Sequence, residues 1–109
     1  MLVPPIVDVP GPTPLQKEII AAVDALEAER WDDATAATRR ALALEPKNAE
    51  AQRLARWAKL GPKQQPAYRE FLRAVAKKDR ATARRRFARI PEDGPYHARA
   101  KSQLELLPP

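Results

Sequence analysis

Cysteine is absent from this chain, which excludes disulfides and thiolate metal sites and fits a reducing compartment. Histidine and serine each occur once, as His97 and Ser102, so no nucleophile has a base to pair with. The three glycines are scattered, and no glycine-rich loop is available to cradle a phosphate. One histidine without ligating partners makes no metal site, and His97 reads instead as a surface residue in the first turn of a helix. These absences argue against an enzyme, a metal site and a cofactor. Apolar runs are short as well, none approaching the ~18 residues of a membrane-spanning helix. The N-terminal MLVPPIVDVPGPTP lacks a basic leader and is interrupted by proline, so it does not read as a signal peptide. A cytoplasmic protein without a membrane span is the expectation.

What the chain does have is small apolar residues and charge. Its 109 residues amount to one small domain, and its 44% hydrophobic content is mostly Ala and Leu, against two Trp, two Tyr and two Phe. Residues of that size suit close helix-on-helix packing better than a sheet. Charge is unevenly divided. Residues 1–48 carry five Lys/Arg against eight Asp/Glu, a balance of −3, and residues 49–109 carry fifteen against six, a balance of +9. An acidic half joined to a basic half bears on partners and solubility rather than on fold.

Residues 1–12 hold four prolines, which predicts an extended, polyproline-like arm. A helix start follows: Thr13 can cap, Pro14 suits the first helical position, and Gln16 sits where a capping-box partner belongs. Leu15, Ile19, Val23 and Leu26 continue at helical spacing to about Glu29. Trp31-Asp32-Asp33 opens a second helix with acids in its first turn, and Pro46 ends it. Asn48 caps a third helix running to Leu60, where Gly61-Pro62 predicts a stop and GPKQQP a loop. Pro66 opens a fourth helix over 66–78, Asp79 caps a fifth over 80–90, and PEDGP marks a second break. Asp32-Asp33 and Glu92-Asp93 both read as helix-start carboxylates explained by capping and the helix dipole. A last helix carries Tyr96, Ala100, Leu104 and Leu107 on one face. The expectation is all-α with six helices: a hairpin over 13–46, an intermediate helix over 48–60, a hairpin over 66–90 and a terminal helix over 95–107.

The stretch from Leu15 to Asn48 resembles a tetratricopeptide repeat, a helix-turn-helix unit of about 34 residues. Ala22 stands at the small position of the first helix, Ala34 and Ala41 at the two small positions of the second, and Pro46 at the terminal proline. WDDA occupies the place of an aromatic, two polar residues and an alanine, and ALALEPKNAEA is similar to the family's run-out into the next repeat. Glu18, Ala21, Ala25 and Thr38 depart from the family's larger residues, which implies a thinner interface or a neighbour filling the gap. Ala83, Phe87 and Ile90 repeat the spacing of Ala34, Thr38 and Ala41 at an offset of 49 residues. IPEDGPY looks like the exits between repeats in bacterial multi-repeat proteins, with the last helix as a terminal cap. The resemblance implies antiparallel hairpins stacked as a short solenoid, in a bacterial protein.

It also implies a binding groove lined by the first helix of each repeat. Position by position, that places Ile19, Val23, Leu26 and Glu27 on the groove face, followed by Arg53 and Trp57. Family members that clamp a C-terminal carboxylate use Lys and Asn where this chain has Ile19 and Val23, which argues against that mode. An apolar groove taking a helix or an extended segment fits better. The plainer alternative is that Ile19, Val23 and Leu26 are core, packed against the third helix or against the chain's own LVPPIV arm. A second candidate surface is basic: Arg69, Arg73 and Lys77 at i, i+4 spacing, then Arg80, Arg84, Arg85, Arg86 and Arg89. Its plainer alternative is a solvated charged face. The expected function is non-enzymatic protein–protein interaction, as an adaptor, chaperone-like or assembly scaffold, with a partner that is acidic or presents an apolar segment. Self-association is a further candidate. The alternative is a basic helical domain binding nucleic acid or another polyanion electrostatically; the lack of a clearly exposed aromatic for base stacking counts against nucleic acid.

Overall fold

The computed structural model describes residues 11–109, so the expected arm lies, except for its last two residues, outside the described part. The described chain is all-helical, with α1 at Pro14–Glu27, α2 at Trp31–Leu44, α3 at Ala49–Ala76, α4 at Arg80–Phe87 and α5 at His97–Leu106. No described helix is long and apolar enough to cross a membrane.

Local chemistry sets most of the boundaries. Thr13 and Gln16 form a reciprocal capping box at α1, the Gln16 amide donating to Thr13 Oγ1 at 3.1 Å and the Thr13 amide to Gln16 Oε1 at 2.9 Å. Asn48 Oδ1 accepts from the Ala51 amide at 2.8 Å, and Asp79 Oδ1 from the Thr82 amide at 3.1 Å, capping α3 and α4. α1 ends in a Schellman turn, with Glu29 left-handed at φ 59° and the Arg30 amide donating to the Ala25 carbonyl at 2.8 Å. α3 ends identically: Lys78 sits at φ 56° and the Asp79 amide reaches the Ala74 carbonyl at 3.1 Å. Glu29 and Lys78 are 49 residues apart, the offset at which the alanine spacing repeats. Ala34 and Ala83, the small residues just inside the following helices, are both 0% exposed. The two hairpins thus share a turn as well as a pattern.

The structure corrects one boundary and with it the helix count. GPKQQP is not a loop: α3 runs unbroken for 28 residues with Pro62 and Pro66 inside it, so five helices stand where six were expected. Each proline removes one backbone donor, and a mid-helix proline ordinarily costs ~3 kcal/mol. Two features offset that. Gly61 has no Cβ to clash with the Pro62 ring, which relieves the usual bar on helical geometry before proline. A buried stripe also passes straight through the segment: Leu54, Ala58, Gly61, Gln64, Tyr68 and Phe71 all face inward. The proline rings point to solvent. Tertiary packing overrides the local stop signal here.

The core has two centres. Ala22, Leu26, Ala34 and Leu54 anchor one between α1, α2 and the first half of α3. Phe71, Ala83, Tyr96 and Ala100 anchor the other between the second half of α3, α4 and α5. Trp31 packs against both. Its indole lies on Gly61, where a Cβ would come within 2.2 Å of the ring. Gly61 is therefore a notch for Trp31 rather than a helix terminator. Ala22, Ala34 and Ala41 are 0% exposed, as close helix contact requires. The face predicted for the last helix is also inward: Tyr96, Ala100 and Leu107 are buried and Leu104 packs on them. His97, the first residue of α5, is half-buried, its ring centre 5.0 Å from that of Phe87.

Candidate binding groove

α1 and the first half of α3 lie side by side, and the segment after Ile90 folds back across them. That return creates a groove of about 250 Å³. Val23, Leu26 and Glu27 contribute from α1, Arg53, Leu54 and Trp57 from α3, and Pro95 and Arg99 from the returning chain. Five of the six residues expected on the groove face therefore share one cavity. Ile19 does not line it; it and Val23 are half-buried against the first core cluster and Leu26 is a buried member of that cluster, the packing the plainer alternative described for all three.

The returning segment is fastened by polar contacts. Asp93 Oδ2 accepts from Arg56 Nε at 2.7 Å, and its Oδ1 accepts from Arg56 Nη2 at 3.2 Å and from Trp57 Nε1 at 2.8 Å. These donors, Arg56 first and Trp57 second, hold the Asp93 carboxyl below the usual carboxylate range, and Asp93 in turn raises Arg56. The expectation that Glu92-Asp93 caps the last helix is thereby corrected. α5 begins at His97 and its cap residue, Tyr96, makes no side-chain cap bond. Asp93 spans to α3 because two donors there match both its oxygens. Next to it, Gln64 is 6% exposed and donates from Nε2 to the Asp93 carbonyl at 2.9 Å. A Cβ at position 94 would lie 2.0 Å from Gln64 Oε1, so any larger residue there must displace the Gln64 amide that holds the Asp93 carbonyl.

Tyr96 completes the fastening. It is 0% exposed, stacked on Tyr68 with ring centres 4.5 Å apart and edge-on to Trp31 at 6.0 Å. Its hydroxyl donates to Glu29 Oε2 at 2.8 Å, and Gln65 donates to the same oxygen. Burial, followed by the bond to the Glu29 carboxylate, pushes the Tyr96 phenol well above its ordinary value. The left-handed Glu29 at the end of α1 is thus tied to α3 and to the start of α5.

The groove wall is apolar and its rim cationic. The Arg53 guanidinium lies 4.8 Å from the Trp57 ring centre, and that of Arg99 5.7 Å from the Tyr96 ring centre. Arg99 also makes a long contact from Nη2 to the Leu26 carbonyl at 3.5 Å.

The basic residues separate. Arg73 and Lys77 line a cleft between α3 and α4 with Glu70, Asp79 and Thr82. Arg80 and Arg84 line a different depression beside Pro109. Arg85 is exposed and donates to Thr82 Oγ1 at 3.0 Å, while Arg69 is exposed on α3. Glu70 takes ion pairs from Arg86 at 3.4 Å and Arg89 at 3.9 Å.

No family model, curated protein or solved structure matches this chain. The tetratricopeptide resemblance therefore stands on the residues that carry it. Sequence reasoning missed Leu54, Pro95 and Arg99 in the groove. Leu54 was within reach, since Ala51, Leu54 and Ala58 are at helical spacing. Arg99 was not, because it meets Leu26 across 73 residues with no local signal.

Proposed function

We propose that this chain is a non-enzymatic protein–protein interaction module, a short tetratricopeptide-like solenoid that docks a segment of a partner protein into the α1–α3 groove. The observation that carries the reading is the convergence of Val23, Leu26, Glu27, Arg53 and Trp57 on one cavity. A concave apolar strip with a polar rim is the ordinary form of a segment-binding surface. His97 is packed against Phe87 and Ser102 is exposed on α5. The basic residues give less support to a continuous polyanion track, because Arg73 and Lys77 line one cleft, Arg80 and Arg84 another, and Arg86 and Arg89 share Glu70.

The test is a pulldown from native lysate with wild type, Val23→Arg and Arg73→Glu/Arg84→Glu, each checked for unchanged helicity. Docking in the groove predicts that Val23→Arg alone loses the partner. Loss only with the double variant, together with steep weakening as salt rises, transfers the function to electrostatic polyanion binding. If neither variant loses any partner, both surfaces are wrong.

A further inference from the structure

Charge around the groove is unbalanced in a way that specifies a ligand. The Arg56 charge is matched by Asp93. Arg53 has only Glu50, at 3.8 Å, with the two side chains 48% and 54% exposed, a pairing worth little in water. Arg99 forms no ion pair among the described residues, its contacts being the Tyr96 ring and the Leu26 carbonyl. Glu27 is the one acid among the described residues lining the groove. A guanidinium resting on a ring keeps its fork of N–H donors free for a carboxylate, which it can hold by two parallel bonds. The volume, about 250 Å³, falls below the ~300–1,000 Å³ of typical small-molecule sites and suits a side-chain anchor instead.

We propose that the ligand is a protein segment that buries one aliphatic side chain among Val23, Leu54 and Trp57 and sets flanking Asp or Glu carboxylates on Arg53 and Arg99. This rests on the interaction-module reading and narrows it to one partner chemistry. The anchor supplies most of the affinity, because it is the part that leaves water. The rim carboxylates supply selection, since partly exposed pairs discriminate partners more than they tighten binding. An apolar segment flanked by Lys or Arg meets Arg99 and a weakly paired Arg53 and is disfavoured.

The experiment is selection of a displayed random-peptide library on the whole chain, followed by fluorescence titration of the enriched peptide. The expected enrichment is an aliphatic residue flanked by Asp or Glu. Affinity for that peptide should fall about three- to tenfold when its acids become Asn or Gln, and by a similar factor in Arg53→Gln and in Arg99→Gln. Arg53→Lys and Arg99→Lys should keep the acid preference, and circular dichroism checks that every variant remains helical. Enrichment of apolar peptides without acids, or unchanged affinity in both Gln variants, overturns the acidic ligand while leaving the groove reading standing. Failure to enrich any peptide, or equal binding to Val23→Arg and wild type, overturns both.

Discussion

Gly61→Ala offers a test in which two physical effects disagree in sign. Gly61 lies in the middle of α3, where replacing glycine with alanine ordinarily stabilises by ~1 kcal/mol through backbone entropy. The added Cβ would meet Trp31 Cζ3 at 2.2 Å, Cη2 at 2.4 Å and Cε3 at 2.7 Å. All three are atoms of one rigid ring, so relief requires the indole to shift by more than an ångström. That ring is edge-on to the buried Tyr96 and packs against both core clusters. Overpacking of this kind costs ~1–3 kcal/mol, and a rigid ring touched at three atoms belongs at the upper end. The net expectation is destabilisation by about 2 kcal/mol, a fall in Tm of roughly 8–16 °C for a domain of this size. Thermal unfolding followed by circular dichroism measures it. The Trp31→Leu background removes all three clashing atoms, and there the same substitution should cost clearly less, the contact of the new Cβ with the Pro62 ring being what remains. A rise in Tm for Gly61→Ala in the wild-type background would refute the notch and return Gly61 to an ordinary helix position.

Three further outcomes follow from the same contacts. Pro62→Ala restores a helix donor at an exposed site and should stabilise the chain by about 1–3 kcal/mol, read by urea titration; destabilisation would indicate that GPKQQP is a loop after all. Asp93 has a lowered carboxyl pKa, so its contribution to stability is complete above the ordinary carboxylate range and is lost as pH falls through its lowered value. The Tm difference between wild type and Asp93→Asn should therefore be steady near neutrality and close in strong acid, and a gap that widens on acidification contradicts the clamp. Tyr96→Phe deletes the hydroxyl bond to Glu29 and should cost about 1–2 kcal/mol, as a lower denaturant midpoint with an unchanged slope.

The readable parts of this fold are those written locally. Thr13 with Gln16, Asn48 and Asp79 mark helix starts through bonds spanning three residues, and all three caps form. Val23, Leu26 and Trp57 were legible because one helical face repeats every three to four residues. Across Gly61-Pro62 and Pro66 the local signal was strong and misleading. The stripe that keeps α3 intact includes Gly61 and Gln64, residues that no apolar count registers. The fastening of the returning segment had no local signal either. Asp93 meets Trp57 across 36 residues, and Tyr96 meets Glu29 across 67. Glu92-Asp93 before a helix looks like a cap from nearby sequence, and only the placement of Arg56 and Trp57 shows a better partner.

That long-range fastening bears directly on the groove. Its walls come from α1, α3 and the chain around Pro95, and the Trp57 ring that forms one wall is held at its Nε1 by Asp93. Arg53 rests on the same ring, so the carboxylate of Asp93 orients both an apolar wall and a rim cation. The Tyr96–Glu29 bond fixes the end of α1 against the start of α5, which carries Arg99. A groove assembled this way is pre-organised only while the returning segment is in place. The ligand proposed for the groove would bridge these walls and so stabilise this arrangement, by an amount set by its concentration relative to its Kd. On the docking proposed above, contacts outside the groove, at Asp93 and Tyr96, are expected to tune affinity without touching the ligand.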